Sequence, residues 1–403
     1  MLSGKDVVVF LDDAQAKYAD TSFWEGFAKA AGLWLPKYIK FIVSATHSLN
    51  GGKESPVEFE SLPRLSRNDF LLSDEEAYQF LDFSDIGLPE KMKLFPDLKA
   101  VLVKESGGLI ASLRLAVDSL KDAFMKDIHP TETTLLHHCF SNNFVQRMAR
   151  CFGSRHSNPV VDDFKNFLKR CFSDDRTQLN VLMNQEDNDS YSSLKKAGIL
   201  VEFPDTTFGF SSPLAKRYYF KWIFPNRSLT APSTLAELIG NVVSSMSATI
   251  LKNSTRPGEF PKEAVFQHVF MEGLASFTPP NCSICPELSK IFSATTNPNT
   301  QQTIPGEIDF YLNSSLRWGI ELLVNGDGIG EHISRFTPPN GKYVALAVRD
   351  YTVVDIRRNS TGRPTNISRH SNRITVFFKN DDYSIAQCIL GLDNAPVVIS
   401  LSN

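Results

Sequence analysis

The sequence predicts a mixed α/β protein of several domains, and three observations support this fold class. The chain has 403 residues, which is enough for about two or three domains. Its hydrophobic fraction of 42% and charged fraction of 22% are ordinary for a globular protein. Short apolar runs typical of strands alternate with longer segments of helical periodicity, from one end of the chain to the other.

The composition limits the classes of partner. A net charge of −3 gives no overall attraction to nucleic acid, so a nucleic-acid surface would have to be a local basic patch. No apolar run approaches the ~20 residues that span a bilayer, and no signal peptide follows Met1. Six cysteines in so long a chain do not indicate a secreted disulfide framework. The Cys282/Cys285 pair has no second pair or nearby histidines, which favours loop thiols over a zinc site.

The first predicted region, residues 1–127, contains two apolar runs typical of buried parallel strands, at residues 7–11 and 38–43. Asp12 and Asp13 follow the first run, and Thr46 follows the second. The order strand, acids, helix, strand, Ser/Thr is that of the second half of a P-loop ATPase core. In that interpretation Asp12 and Asp13 hold Mg²⁺ and Thr46 lies on the sensor strand.

The glycine-rich phosphate loop of such a domain is missing from this sequence. No GxxxxGK[ST] segment precedes residue 7 or occurs later, and this loop supplies the amides and the lysine that hold the phosphates. The region is therefore predicted to be the C-terminal part of a P-loop ATPase-like domain, without ATP bound. The alternative is that Asp12 and Asp13 only terminate a strand.

The second region, residues 128–227, is predicted to be helical and winged-helix-like. A helix ending at Gly198 leads into a strand, a turn at residues 204–205 and a second strand. Basic and aromatic residues then alternate, and Lys216, Arg217 and Lys221 are candidates for contact with nucleic acid. The alternative, which the pattern favours, is a helix whose aromatic residues pack in a core while the three cations face solvent.

The third region, residues 228–403, is predicted to be an α/β domain. Residues 229–251 have helical periodicity, and so do residues 261–272, where Glu263 and Gln267 are four apart and share a face. Residues 330–336 form a short predicted helix. Strands are predicted at residues 342–348, 350–356 and 374–378.

Two acids within this region carry the functional prediction. Asp309 lies in the run EIDFYL and Glu321 in the run RWGIELLV, with a polar turn at residues 313–315 between them. If the runs pair as a hairpin, the two carboxylates converge, an arrangement suited to Mg²⁺. Nucleases of the PD-(D/E)xK type place an Asp and a Glu in this way, followed by a lysine two residues after the Glu. Here that position is Leu323.

Because residue 323 is not a lysine, another basic residue would have to supply the positive charge of the site. His332 and Arg335 on the short predicted helix, and Lys342 after it, are candidates to stabilise charge on a phosphate. Glu263 or Gln267 is expected to complete the metal shell or to position a water molecule. The alternative for Asp309 and Glu321 is a polar cross-strand pair or two acids that face solvent.

Several segments together resemble one known family. VVVFLDDAQ, FIVSATHSL and RLSRNDFLLSDEEAYQFL are similar to the ATPase part of the Crinkler (CRN) effectors. GILVEF, TTFGFSSPLAKRYYFKWIFPNR and GEIDFYLNSSLRWGIELL with EHISRF are similar to later parts of that family. The resemblance extends over nearly the whole chain in the family's order. The resemblance does not include the family's N-terminal trafficking segment or its Walker A loop, which have no counterpart in this sequence.

The resemblance implies a P-loop ATPase module followed by a restriction-endonuclease-like domain. It also implies secretion into a host cell, often with location in the host nucleus. The function expected from it is a secreted virulence effector with a Mg²⁺-dependent DNA endonuclease domain and host DNA as partner. A decayed nuclease that binds host DNA or a host nuclear protein is one alternative, and an ATP-dependent switch is another.

Overall fold

A computed structural model describes most of the chain. The described residues are 7–12, 14, 20, 22–24, 26, 36, 38–44, 65–83, 94–126, 130–152, 161–173, 177–179, 185–225, 227–255, 259–286, 308–326, 328–338, 341, 343–358, 370–379, 381–390 and 395–402. The protein is mixed α/β with a seven-stranded sheet, which agrees with the predicted class. Within these ranges no helix combines the length and the apolar character needed to cross a bilayer.

The α-helices among these residues are, in chain order, α1 (Asp74–Asp82), α2 (Pro96–Ser106), α3 (Ile110–Phe124), α4 (Glu132–Cys139), α5 (Asn142–Arg147), α6 (Ala149–Phe152), α7 (Lys165–Ser173), α8 (Gln185–Lys196), α9 (Pro213–Ile223), α10 (Leu235–Ser245), α11 (Ala248–Asn253), α12 (Glu263–Phe277) and α13 (Ile329–Ser334). Short 3-10 helices lie at Arg67–Phe70 and Val344–Leu346.

The strands are β1 (Val7–Leu11), β2 (Ile39–Val43), β3 (Thr177–Gln178), β4 (Leu200–Glu202), β5 (Thr207–Phe210), β6 (Ile284–Pro286), β7 (Phe310–Leu312), β8 (Trp318–Val324), β9 (Asp350–Arg358), β10 (Arg373–Phe378), β11 (Ile385–Leu390) and β12 (Val397–Ser400). The large sheet has the order β12-β11-β10-β9-β8-β7-β6. Strand β9 runs parallel to β8 and β10, and the other neighbours are antiparallel.

Helix α12 packs on the centre of this sheet through aromatic rings. Phe270 stacks on Phe310 of β7 at 5.7 Å, and Phe266 stacks on Phe378 of β10 at 5.8 Å between ring centres. Every residue of β10 is buried, as is nearly all of β8. Such continuous apolar runs are expected of strands that are covered on both faces. This packing sets the position of the N-terminal turn of α12 beside the β7–β8 hairpin.

The chain forms two compact units. One consists of residues 1–70 and 178–208, and the other of residues 71–177 and 209–403. The second unit contains the seven-stranded sheet together with helices α1–α7 and α9–α13. The limits of the two units differ from residues 127 and 227, the ends predicted from the sequence for the first two regions. The division into three domains stays a prediction.

The first two strands pair in parallel, as predicted, with Val7 opposite Ile39 and Leu11 opposite Val43. The prediction that they are buried is wrong. Val8 is 51% exposed and Phe10 is 66% exposed. The sheet that the described residues form here has two strands, so its apolar side chains lack the neighbouring strands that would cover them.

The predicted order of helix, strand, turn and strand is present in α8, β4 and β5. Gly198 takes a left-handed backbone with φ of 72°, which ends the helix and leads into β4. Strand β5 lies between β3 and β4 in a three-stranded sheet. Tyr191 of α8 contacts Phe208 of β5 with ring centres 4.7 Å apart.

Two predicted elements are wrong in the third region. The helix expected over residues 229–251 is interrupted because Met246 is extended, with ψ of 137°, and Ser247 caps α11 through its side chain. Ser247 also forms a β-bridge with Ser402. Instead of the strand expected over residues 342–348, the chain forms a 3-10 helix at Val344–Leu346. Tyr343 N donates a backbone hydrogen bond to Arg335 O at 2.9 Å, which holds this segment beside the end of α13.

Candidate active site at the β7–β8 hairpin

The β7–β8 hairpin brings Asp309, just before β7, opposite Glu321 in the middle of β8. Phe310 pairs with Ile320, Asp309 directly precedes β7, and Glu321 directly follows Ile320. The turn between the strands uses left-handed backbones at Ser314 and Arg317, with φ of 66° and 50°. The convergence predicted from the sequence is therefore present.

Asp309 is a buried carboxylate held by two hydrogen bonds. It is 8% exposed, and it accepts from Leu322 N at 2.6 Å and from Gln267 Nε2 at 2.7 Å. Burial raises the pKa of Asp309 well above its usual value. The hydrogen bond from Leu322 opposes that shift, and the charges of Glu321 and Glu263 add to it. The carboxylate of Asp309 is therefore buried close to two other acidic side chains, those of Glu321 and Glu263.

Glu321 has no exposed surface and is held by two basic side chains. His332 Nδ1 bonds to Glu321 Oε2, and Arg335 Nη1 donates to the same oxygen at 3.2 Å. Arg335 Nη2 also donates to Glu331 Oε1 at 2.9 Å. Burial alone would lower the pKa of Arg335, but Glu321 and Glu331 raise it above its usual value. Arg335 consequently stays charged beside Glu321.

The N-terminal turn of α12 supplies two further predicted residues. Gln267 Nε2 lies 3.4 Å from Glu263 Oε1 as well as close to Asp309. Glu263 is at the exposed rim of the site. Burial of its carboxylate raises the pKa of Glu263; the charge of His332 lowers it and that of Glu321 raises it. Six predicted residues thus meet around the hairpin: Glu263, Gln267, Asp309, Glu321, His332 and Arg335.

Tyr343 belongs to the same site, although the sequence analysis assigned it only to a strand. It is fully buried, and its ring packs against Phe336 at 4.9 Å between centres. Among the described residues, its hydroxyl has no hydrogen-bond partner. Burial raises the pKa of Tyr343, and so does the charge of Glu321 beside it. The sequence gives no signal that a tyrosine within an apolar segment lies beside Glu321. Its position depends on the backbone hydrogen bond between Tyr343 N and Arg335 O.

Leu323, at the position of the missing lysine, is buried and 7% exposed. Its partner on β9 is Asp355, which is fully buried and bonded to Arg357 Nε at 2.7 Å and to Arg373 Nη2. One oxygen of Asp355 has no hydrogen-bond partner. The surroundings of Leu323 are thus occupied by a buried Asp–Arg cluster on the neighbouring strands.

Two of the three basic residues of α9 do not face solvent as predicted. Lys216 and Arg217 are 6% and 7% exposed, so their expected solvent-facing position is wrong. Arg217 pairs with Glu105 of α2 at 3.0 Å and donates to Cys139 O at 3.0 Å. Burial of both side chains is an unsuitable environment for contact with a nucleic-acid backbone. Lys221 is half-buried over the rings of Tyr218 and Trp222.

The other candidate residues contribute little to the site. Asp12 is exposed at the end of β1 and accepts a hydrogen bond from Ser44 Oγ. Asp13, Thr46 and Lys342 lie outside the described residues. The Cys282 and Cys285 thiols are buried, and Arg217 Nη1 donates to Cys285 Sγ at 3.6 Å.

The donor atoms around the hairpin suit a hard divalent cation. Asp309, Glu321 and Glu263 offer carboxylate oxygens and Gln267 an amide oxygen, which are ligands of the kind that Mg²⁺ prefers. The charge of Glu321 raises the pKa of Asp309 and of Glu263, and that of Glu263 raises the pKa of Asp309, a repulsion that a cation would relieve. In the described part of the chain no three His, Cys, Asp or Glu side chains are already gathered closely enough to hold a metal ion.

Comparison with known proteins finds no protein-family model and no curated protein that matches this chain. The resemblance to Crinkler effectors therefore stays a prediction.

Proposed function

We propose that this protein is a Mg²⁺-dependent endodeoxyribonuclease with a restriction-endonuclease-like domain at residues 228–403. One observation carries the proposal: Asp309 and Glu321 converge at the β7–β8 hairpin, with Gln267 on one side and His332 and Arg335 on the other. An acid pair backed by an amide and faced by cations is suited to phosphodiester hydrolysis.

The residues have separate tasks in this proposal. Asp309, Glu321 and Glu263 would hold the cation, and the hydrogen bonds from Gln267 and Leu322 N fix the direction of the Asp309 carboxylate. Bound Mg²⁺ supplies polarisation of the phosphate and a more acidic bound water. Arg335 is the permanent positive charge of the site. It faces the negative charge that develops on the phosphate as the water oxygen bonds to phosphorus.

The wider setting of the proposal comes from the resemblance to Crinkler effectors. It makes the protein a secreted effector that acts on DNA in a host cell, with the nucleus as its site of action. Residues 1–127 are then the C-terminal part of a P-loop ATPase-like domain. The parallel β1–β2 pair with Asp12 at its end supports this assignment. Residues 128–227 are winged-helix-like, supported by the order α8, β4, β5.

A second candidate function is binding to host DNA or a host nuclear protein without cleavage. Glu321 favours it, because its carboxylate already pairs with Arg335 and bonds to His332, and because Leu323 replaces the expected lysine. These contacts must be exchanged before Glu321 binds a cation.

Plasmid nicking separates the two functions. The wild-type protein with Mg²⁺ is expected to convert supercoiled plasmid to the open circle, and chelation of the metal is expected to stop it. The double variant Asp309→Ala/Glu321→Ala should lose this activity. Asp381→Ala is the control, since Asp381 is 74% exposed and pairs with Arg358 at 2.7 Å on another loop. Equal nicking by wild type and the double variant would refute the assignment. DNA binding without nicking would favour the second candidate.

A further inference from the structure

A small cavity joins the candidate active site to helix α9. Its volume is about 20 Å³, which is room for about one water molecule. Its polar lining consists of Lys216, Gln267 and Asp309, and the remaining walls are apolar: Phe172, Met271, Pro286 and Phe310. A cavity lined by a lysine, a glutamine and an aspartate offers the kinds of polar residue that a buried water requires.

Lys216 is an unusual residue for such a wall. It is 6% exposed, and lysine is rarely buried to this extent because its charge needs stabilisation by its surroundings. Its Nζ lies 5.1 Å from the centre of the Phe172 ring, one arrangement that stabilises an ammonium group. Lys216 and Asp309 line the same cavity, so the charge of one acts on the other.

The backbone of Lys216 is fixed relative to Asp309 by its neighbour in the sequence. Arg217 pairs with Glu105 and contacts Cys285 Sγ at 3.6 Å. Cys285 lies on β6, which pairs with β7 so that Pro286 is opposite Phe310. Asp309 is the next residue back from Phe310. The buried Arg217 therefore anchors α9 to the edge of the sheet that carries the site.

We propose that Lys216 supplies the positive charge that the ExK motif would place at residue 323. It acts across the cavity, together with Asp309 and Gln267, on one water molecule. In hydrolysis the water oxygen bonds to phosphorus and the bond to the leaving oxygen breaks. One water proton passes to solvent, and the leaving oxygen takes a proton from solvent. Lys216 transfers no proton and stabilises the developing negative charge. This inference rests on the proposed cation site.

Divalent-cation affinity tests the proposal without relying on cleavage. Mn²⁺ is the probe, and free Mn²⁺ is measured by electron paramagnetic resonance. Removing a positive charge that repels the cation should tighten Mn²⁺ binding, by at least about threefold for Lys216→Met. Lys216→Gln should do the same and remains informative if the methionine variant is unfolded. Lys216→Arg keeps the charge and should retain the wild-type affinity.

Lys169→Met is the matched control. The Lys169 ammonium also lies over a phenylalanine, Phe224, at 5.6 Å, but it pairs with Glu272 at 3.1 Å and does not line this cavity. Its Mn²⁺ affinity should equal that of wild type.

Plasmid nicking at saturating Mg²⁺ completes the test. The rate constant should fall at least about tenfold in Lys216→Met, equivalent to one lost charge-assisted contact, and be unchanged in Lys169→Met. Unchanged Mn²⁺ affinity in the Lys216 variants overturns the role of Lys216, even if the wild-type protein cleaves DNA. A changed affinity without cleavage keeps that role and refutes the nuclease. Absence of Mn²⁺ binding by the wild type refutes both.

Discussion

At the scale of one residue, Asp309 of the candidate site lowers the stability of the folded protein when its carboxylate is ionised. Its carboxylate is buried beside two other acids, and its pKa is raised well above 3.8. A carboxylate that is buried and makes no direct ion pair among the described residues disfavours folding when it is ionised. The hydrogen bonds from Leu322 N and Gln267 offset part of that cost. Such a residue is typical of sites kept for function.

Asp309→Asn is therefore expected to stabilise the protein, increasingly so as the pH rises. In the wild type, the contribution of a raised pKa is fully present below the unfolded-state pKa near 3.8 and is lost as the pH rises through the folded-state value. The asparagine does not ionise, and Gln267 can turn its amide to pair with it. The gain should be near zero at pH 4 and of the order of 1–3 kcal/mol at pH 8.

Melting temperatures of wild type and Asp309→Asn across that range give the measurement. A gain that is constant with pH, or that shrinks as the pH rises, would show that ionised Asp309 is stabilised in the folded protein.

Tyr343 provides a second prediction for a single residue. Its buried hydroxyl lacks a hydrogen bond, and an unsatisfied buried polar group costs about 1–3 kcal/mol. Tyr343→Phe should consequently leave the free energy of unfolding unchanged or raise it by about 1 kcal/mol. Tyr351→Phe is the control, because Tyr351 stacks on the same ring, Phe336, at 4.3 Å. Urea unfolding measures both. A loss above about 1 kcal/mol confined to Tyr343→Phe would mean that the hydroxyl bonds to Glu321.

At the scale of elements, helix α9 is the clearest case where tertiary contacts decide the role of a sequence. Its alternation of basic and aromatic residues is compatible with a nucleic-acid surface and with a solvated helix. Ser212 caps it by accepting from Ala215 N at 3.1 Å, and Pro213 starts its first turn. The ion pair between Arg217 and Glu105 then holds the Arg217 side chain buried against α2.

Breaking this ion pair should be costly. Arg217→Met leaves Glu105 buried without its partner, and the loss is expected to be about 3–5 kcal/mol. The double variant Arg217→Met/Glu105→Gln should recover part of the loss, since no buried charge remains. Arg114→Met removes an exposed pair with Asp118, 3.2 Å apart, and should cost no more than about 0.5 kcal/mol. Chemical denaturation of the four proteins measures this, and equal costs for the Arg217 and Arg114 variants would contradict it.

At the scale of the whole molecule, neither compact unit is one continuous segment of the chain. Residues 71–177 and 209–403 make one unit although residues 178–208 belong to the other. A compact unit with its own core is expected to fold alone. Removal of residues 1–70 should therefore leave a cooperative thermal transition and the near-ultraviolet circular dichroism of packed aromatic rings. Loss of that transition would show that the sheet-containing unit depends on the first 70 residues.

The sequence by itself determined the local elements and much of the candidate site. Alternation and apolar runs located β7, β8, β9 and β10, and helical spacing put Glu263 and Gln267 on one face. A hairpin needs only local information, because its register follows from a short turn and adjacent strands. For this reason Asp309 and Glu321 were correctly expected to converge. The short helix with His332 and Arg335 follows closely enough in the chain to reach them.

Only the tertiary structure decided which side chains are buried and which distant residues join the site. The exposure of β1 and β2, the interruption at Met246 and the burial of Lys216 and Arg217 depend on partners far away in the chain. Tyr343 reaches Glu321 because the backbone folds back at Arg335, and Lys216 reaches the Asp309 cavity because Glu105 and Cys285 hold Arg217. The physical reason is common to these cases: local patterns fix the period of an element, while burial depends on the surfaces that later pack against it.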